Sequence, residues 1–208
     1  MKIAVIGANG KQGSLLVKEA MSRGHEVTGF VRNGESAANK TIVKDVFDVR
    51  YDDIKDYEVI IDALGFWAEK DLPLHGKSLM HLCNILENKE NRLLVVGGAG
   101  SLYVNPEHTV QVIDGPDFPE MFKPLAMAQG KALEDLRKVD NVKWTFLSPA
   151  ADFRADGERT GEYKLGGEEL TLNSNGESVI SYADYAIAMI DEAENANYIG
   201  KRFSVVSK

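Results

Sequence analysis

The feature that most constrains the fold is a glycine-rich run that begins where a short apolar segment ends. The apolar segment is Lys2–Ile6, and after the run a helical pattern of apolar residues continues until Gly24. The run itself reads Gly7, Ala8, Asn9, Gly10, Lys11, Gln12 and Gly13. A buried strand, a glycine turn and a helix in immediate succession predict the first unit of a doubly wound α/β sheet.

Each glycine of the run has its own role in this interpretation. Gly7 permits the tight turn, Gly10 lets backbone N–H groups approach a pyrophosphate, and Gly13 lets the helix pack closely on the strand. The N-terminus of the helix adds partial positive charge, and Asn9 can add a side-chain donor. An ordinary glycine turn is the alternative, but the strand before the run and the helix after it favour a phosphate loop.

The end of the second predicted strand, Glu26–Val31, indicates which dinucleotide binds. Sites for NAD usually have an acidic residue here, which accepts from the ribose 2′-hydroxyl, whereas sites for NADP have an arginine near the 2′-phosphate. Arg32 occupies this position. A guanidinium can bind a phosphate through two parallel hydrogen bonds. A solvated residue at a strand end is the alternative, and the position favours NADP(H) over NAD(H).

The rest of the chain repeats the alternation of strand and helix. Apolar, β-branched runs predict further strands at Ile42–Val46, Val59–Ala63, Arg92–Val96, Trp144–Leu147 and Arg202–Val206. Helical spacing predicts helices near Lys77–Glu87 and Pro119–Val139, and a last helix with a capping box at Ser181. Residues 150–180 are polar and glycine-rich, and we expect a small insertion of short strands and loops beside the active face. The prediction is one Rossmann-type domain over residues 1–208, with a mainly parallel sheet.

Composition narrows the classes of function. Lys and Arg number 24 against 32 Asp and Glu, a net charge of −8, which argues against nucleic acid or an anionic membrane as partner. The single cysteine, Cys83, lies in an apolar run and predicts a buried thiol. The four histidines are scattered, so no metal site is predicted. No segment is apolar for long enough to span a membrane, so we expect a cytoplasmic protein, with a homo-oligomer left open.

The chain resembles a known superfamily over nearly its whole length. The segments that carry the resemblance are Gly7–Gly13, Arg23–Arg32, Lys44–Val46, Ile61–Gly65, Val95–Leu102, Trp144–Ala150 and Ser181–Ala186. Together they are similar to the atypical, extended short-chain dehydrogenases/reductases. Within that group they resemble the NmrA-like and biliverdin-IXβ reductase-like proteins, which are often described as NADH-flavin reductases. The glycine run is common to many folds, whereas the later segments taken together are more specific.

This resemblance implies where the rest of the cofactor lies. Asp45 and Val46, at the end of the third strand, are expected to contact the adenine ring. Leu64 and Gly65, after the fourth strand, are expected along the adenosine and ribose, and Pro149 is counted with the cofactor-binding residues. Ligands of doubly wound sheets do bind at the carboxyl ends of strands. The alternative is that these residues only terminate their strands, as acidic residues and glycines often do.

The same resemblance implies catalytic residues, of which one is missing. In most of the superfamily a serine acts with the Tyr and Lys of a Y-x-x-x-K sequence. Ser101 follows the fifth strand and Lys131 lies on the next helix, but Met127 stands where the tyrosine is expected. Reduction of a ketone needs a positioned proton donor, whereas hydride transfer to a flavin or quinone forms a delocalised anion that water can protonate.

Two functions follow from these residues. The first is an NADPH-dependent reductase of a small flavin- or quinone-like acceptor, in which Ser101 faces the acceptor and Lys131 holds the nicotinamide ribose. The second is a non-catalytic, NmrA-like module that binds NADP(H) and reports redox state to a protein partner. The missing tyrosine favours the second function, and a compact, pocket-forming segment at residues 150–180 favours the first.

Overall fold

One large sheet runs through the computed structural model, which describes residues 1–208. The strands are β1 (Lys2–Ile6), β2 (Glu26–Val31), β3 (Lys40–Val43), β4 (Val59–Asp62), β5 (Arg92–Val96), β6 (Lys143–Ser148), β7 (Asp152–Arg154), β8 (Tyr163–Gly166), β9 (Val179–Ser181) and β10 (Lys201–Ser207). Eight of them form the large sheet in the order β3-β2-β1-β4-β5-β6-β10-β8. Every neighbour pair is parallel except β8 with β10. This is the doubly wound, mainly parallel sheet that the sequence predicts.

Helices cover both faces of the sheet. They are α1 (Lys11–Ser22), α2 (Tyr51–Ile54), α3 (Leu74–Ile85), α4 (Lys123–Leu136) and α5 (Tyr182–Asn195). The helices α1 and α5 pack on one face, and α3 and α4 pack on the other. Alternate residues of β1 therefore enter different cores, Ile3 and Val5 on the α1 side, Ala4 and Ile6 on the α3 side. A strand that is buried on both faces has to be apolar at nearly every position, which explains the sequence of β1.

The strands β1, β2 and β5 have the bounds that the sequence predicts, but β3 does not. The predicted strand Ile42–Val46 is wrong at its carboxyl end, since β3 ends at Val43. Asp45 accepts a hydrogen bond from the N–H of Phe47 at 3.0 Å and begins a 3₁₀ turn at Val46–Asp48. An aspartate that bonds to the backbone two residues on offers an alternative to the strand.

The helices differ from the prediction mainly at their ends. The helix predicted near Lys77–Glu87 begins and ends earlier, as α3, and the one predicted at Pro119–Val139 is shorter, as α4. Helix α1 ends at Ser22, and Gly24 closes it just after the C-cap, as predicted, with a φ of +81° that favours glycine. None of the five helices combines the length and hydropathy needed to cross a membrane. Cys83 lies on α3 and is buried, as predicted, and burial raises the pKa of its thiol to about 12.

Residues 150–180 contain the short strands that their composition predicts. The strands β7 and β9 pair with each other, and β8 extends the large sheet by pairing with β10. The carboxylate of Asp184, in the first turn of α5, accepts from the N–H groups of Thr160 (3.0 Å) and Gly161 (2.9 Å). The predicted capping box is therefore half formed. Ser181 accepts from the Asp184 N–H at 3.0 Å, but the Asp184 side chain binds the insertion instead of the Ser181 backbone.

Candidate functional site

The glycine loop lies at the carboxyl end of β1, between the strands β2 and β4. Gly7 has a φ of +82°, and a Cβ on Gly13 would come within 2.1 Å of the Gly7 carbonyl oxygen, so neither position accepts a side chain. Gly10 differs, because its φ of −71° and ψ of 167° suit any residue. A Cβ on Gly10 would meet only the Gly7 carbonyl oxygen, at 3.2 Å. The space over Gly10 is therefore open to a ligand.

Helix α1 begins with three backbone N–H groups that have no partner in the chain. Gly10 precedes the helix and supplies no side-chain cap, and the N–H groups of Lys11, Gln12 and Gly13 donate to no acceptor. Unpaired N–H groups at the start of a helix carry partial positive charge and bind anions. The first turn of α1 thus offers the donors and the charge that a pyrophosphate requires.

Asn9 connects this loop to the end of β2. Its Nδ2 donates to the carbonyl oxygen of Asn33 at 2.9 Å, while the neighbouring Ala8 is buried in the core. One of the two hydrogens of the Asn9 NH2 group is thus used within the protein. Arg32 stands beside this contact, is exposed, and forms no ion pair or hydrogen bond within the chain. An unpaired guanidinium next to an anion-binding turn can take a further phosphate group.

The residues expected at the adenosine lie at the ends of β3 and β4. Asp45 is occupied in part by its bond to the Phe47 N–H, and Val46 is buried below it. Leu64 is half-buried, and Gly65 is exposed. These four residues border the same edge of the sheet as the glycine loop, where doubly wound folds bind their ligands.

A buried carboxyl group that the sequence analysis missed lies beneath this edge. Asp62, the last residue of β4, is 6% exposed and accepts from the Leu64 N–H at 3.1 Å. Burial raises the pKa of Asp62 to about 6, against the opposing effect of that hydrogen bond. With His75, Ser78 and Gln129, Asp62 lines a cavity of about 20 Å³, enough for one water molecule. An acid at the end of a strand usually indicates an exposed residue, so the sequence held no signal of this burial.

Ser101 is bound from within the protein by a buried arginine. The side chain of Arg202, on β10, is fully buried, and its Nη1 donates to the Ser101 Oγ at 3.2 Å. The same guanidinium pairs with Glu168 of the insertion, through Nε at 2.9 Å and a close Nη2 contact. Arg137, the residue after the end of α4, donates to that carboxylate at 2.5 Å. Because the Ser101 oxygen accepts from Arg202, the hydroxyl proton remains free to be donated elsewhere.

Lys131 lies on the exposed side of α4. Its Nζ pairs with Asp135 at 2.7 Å, and this hydrogen bond raises the pKa of Lys131. Met127, one turn earlier on the helix, is 66% exposed. The neighbouring Gly130 packs against the serine, since a Cβ on Gly130 would lie 3.7 Å from the Ser101 Cβ. Lys131 and Ser101 are therefore on adjoining elements, but each has a different partner and they do not contact each other.

Aromatic side chains lie near the end of β6. Pro149 is buried there, and the ring of Phe153 lies 4.0 Å from that of Tyr182 between centroids. The hydroxyl of Tyr185 donates to the carbonyl oxygen of Leu147 in β6 at 2.7 Å, which places the start of α5 over this strand. The aromatic group is thus on the β6 side of the glycine loop, whereas Arg32 is on the β2 side.

A second depression in the surface lies at the other end of the sheet. It has a volume of about 590 Å³ and surrounds Asn88, Asn141 and Gly200, which precede β5, β6 and β10. This is the amino end of the strands. Because open parallel sheets bind ligands at their carboxyl ends, we place the functional site at the glycine loop and not in this depression.

Comparison with known proteins identifies the family of the chain. Residues 7–195 match a family described as NAD(P)H-binding. The chain belongs to this NAD(P)H-binding family. A nicotinamide dinucleotide is accordingly its cofactor, and the open space over Gly10 and the free N–H groups of α1 fit the pyrophosphate of such a molecule.

Its relatives cover the whole chain. It is 46% identical to the uncharacterised protein YwnB of Bacillus subtilis (strain 168) over 212 residues, 100% of this chain and 99% of that protein. The crystal structure of SP1627 from Streptococcus pneumoniae TIGR4, described as a putative NADH-flavin reductase, matches with a TM-score of 0.98 and 49% identity over 100% of both chains. A putative epimerase from Bacteroides thetaiotaomicron matches with a TM-score of 0.86 and 36% identity over 99% of this chain and 96% of that one. The predicted Rossmann-type fold and the predicted superfamily are confirmed.

Proposed function

We propose that this protein is an NADPH-dependent reductase of flavin- or quinone-like acceptors. The observation that carries the proposal is the anion site at the start of α1. Three unpaired N–H groups there adjoin the open space over Gly10, and the unpaired guanidinium of Arg32 stands beside them. When bound, the reduced nicotinamide supplies a hydride from its C4 atom.

The chain supplies a different contact for each part of the cofactor. The first turn of α1 binds the pyrophosphate, and Arg32 binds the 2′-phosphate of the adenosine ribose. Lys131 binds the hydroxyls of the nicotinamide ribose, for which it has to exchange its contact with Asp135 (2.7 Å). Since both carboxylate and hydroxyl oxygens accept from an ammonium group, Lys131 keeps its charge through this exchange.

The choice of acceptor follows from the missing proton donor. Met127 has no proton to transfer, and the only hydroxyl that the superfamily pattern leaves is that of Ser101. A flavin or quinone takes hydride without a positioned acid, because the resulting anion is delocalised and water protonates it. The description of SP1627 as a putative NADH-flavin reductase supports the same class of acceptor.

The alternative is a module that binds NADP(H) without catalysis and acts through a protein partner. The observation that favours it is again Met127, which is 66% exposed where a catalytic tyrosine is expected. The two functions predict the same cofactor site, so binding measurements alone do not distinguish them.

Steady-state oxidation of NADPH with a panel of flavins, quinones and simple ketones tests the proposal. We expect turnover with flavins or quinones and little turnover with ketones. Lys131→Ala should lower turnover about tenfold, because the variant aligns the cofactor less well but loses no essential acid. Lys138→Ala is the matched control, because Lys138 binds the same Asp135 carboxylate, also at 2.7 Å, and should leave turnover unchanged. Rapid ketone reduction would contradict the proposal, and tight NADPH binding without turnover of any acceptor would favour the redox-sensing module.

A further inference from the structure

Gln12, in the first turn of α1, has an amide side chain whose NH2 group is hydrogen-bonded and whose oxygen is not. The residue is 8% exposed, and its Nε2 donates to the carbonyl oxygen of Tyr182 at 3.2 Å. A carbonyl oxygen can only accept, so the NH2 group has to face Tyr182 and the orientation of the amide is determined. The Oε1 atom is buried and accepts no hydrogen bond. Buried acceptors are almost always paired, so this atom indicates a donor on a bound molecule.

The pyrophosphate cannot be that donor. At neutral pH its oxygens are ionised and only accept, so they would repel the Oε1 of Gln12 while binding the N–H groups of the same turn. The donor has to belong to another part of the dinucleotide.

The position of Gln12 indicates which part. Arg32 lies on the β2 side of the glycine loop, and Tyr182, the partner of Gln12, lies on the β6 side. If Arg32 binds the adenosine half, as in the proposed function, the nicotinamide half lies toward Gln12. The rings of Tyr182 and Phe153, with centroids 4.0 Å apart and planes inclined at 36°, add aromatic surface on the same side, against which a pyridine ring can pack. The amide NH2 on that ring is then the donor that matches an unpaired acceptor.

We propose that Gln12 accepts a hydrogen bond from the carboxamide NH2 of the nicotinamide and determines the specificity of the site for that group. This inference rests on the proposed cofactor site. It assigns to the Gln12 side chain a role separate from that of its backbone N–H, which belongs to the anion site. A bond to the carboxamide also fixes the rotation of the ring, on which alignment for hydride transfer depends.

Calorimetric titration with three oxidised nucleotides tests the inference. They are NADP⁺, its acetylpyridine analogue, in which a methyl group replaces the NH2 and the carbonyl remains, and its nicotinic acid analogue, in which a carboxylate replaces the amide. Wild type should bind the acetylpyridine analogue about tenfold more weakly than NADP⁺, the factor that one lost hydrogen bond corresponds to. The nicotinic acid analogue should bind more weakly still, because its carboxylate repels the Oε1 atom.

Gln12→Met separates this role from a structural one. Methionine has a similar length and no hydrogen-bonding amide, so the variant should bind NADP⁺ and the acetylpyridine analogue equally. If Gln12 only connects α1 to Tyr182, the variant weakens both nucleotides by one factor and the wild-type ratio persists, which would overturn the inference. Arg32→Ala is the matched control on the adenosine side and should preserve the ratio.

The titrations of wild type with the three nucleotides test the role of Gln12 even if Gln12→Met does not fold. Equal affinity of wild type for NADP⁺ and the acetylpyridine analogue would overturn the role of Gln12 and leave the cofactor site standing. Absence of binding for all three nucleotides would instead overturn the cofactor site itself.

Discussion

Asp62, at the carboxyl end of β4, makes stability depend on pH, and Asp62→Asn should remove that dependence. The carboxyl group is buried and receives a single hydrogen bond, from the Leu64 N–H at 3.1 Å. Burial disfavours the ionised form more than this bond favours it, so the pKa of Asp62 is about 6 in the folded protein instead of 3.8. Asparagine has the same shape and can accept the same hydrogen bond, but it does not ionise.

The sign and the size follow from the two pKa values. Well below pH 3.8 the carboxyl group is protonated in both states, and its burial has no electrostatic cost. As the pH rises from 3.8 towards 6, the unfolded chain releases the proton while the folded protein keeps it, so the free energy of unfolding falls. At about 1.36 kcal/mol for each pH unit, the difference between 3.8 and 6 corresponds to a loss of about 3 kcal/mol that is complete above the higher pKa.

Urea unfolding without nucleotide measures this loss. From a pH of about 4.5 to a pH of about 8, the free energy of unfolding of Asp62→Asn should rise by about 2 kcal/mol relative to that of wild type. The value is less than the full loss because roughly a third of the loss already occurs below that range. Asp52→Asn is the control, because the Asp52 side chain is 88% exposed and should follow wild type at every pH. Parallel curves for wild type and Asp62→Asn would refute the reasoning.

Two further substitutions test other parts of the structure. We expect wild type to bind NADPH at least about tenfold more tightly than NADH, because a charge-assisted hydrogen bond contributes about 1.5–3 kcal/mol. Arg32→Ala should abolish this preference. Calorimetric titration measures both affinities, and equal wild-type affinities for NADPH and NADH would contradict the role of Arg32. Glu192→Ala should destabilise the fold by about 3–5 kcal/mol in urea unfolding. The reason is that Arg92, whose Nη2 lies 2.7 Å from the Glu192 Oε1, stays buried without its counter-charge. NADPH affinity should not change, since Arg92 lies at the amino end of β5, and a loss below about 1 kcal/mol would count against a buried pair of this kind.

The order of strands and helices could be predicted because it depends on local patterns. The strand β1 is covered by helices on both faces, so its apolar run begins and ends with the strand. The strand β3 could not be predicted at its carboxyl end, where the bond from Asp45 to the Phe47 N–H decides its length. Hydrophobic patterns carry no information on a single polar contact of that kind.

The parts of the candidate site that the sequence could indicate are its backbone loop and one exposed side chain beside that loop. Gly10 and Arg32 follow from the strand, turn and helix around them. The contact between Gln12 and Tyr182 joins residues 170 positions apart, and the contact between Arg202 and Ser101 joins residues 101 apart. No local pattern shows such contacts, because the folding of the whole sheet creates them.

The most direct test of the cofactor site is the affinity of Gly10→Val for NADPH. The backbone of Gly10, with φ of −71° and ψ of 167°, is one that valine adopts, so the variant should fold. It should melt somewhat below wild type, because its Cβ would lie only 3.2 Å from the Gly7 carbonyl oxygen. Its branched side chain would fill the space that the pyrophosphate needs, and NADPH binding should be lost. Gly167→Val, where a Cβ would meet no atom within 4 Å, should bind NADPH like wild type. Wild-type affinity in a folded Gly10→Val protein would contradict the placement of the cofactor at this loop.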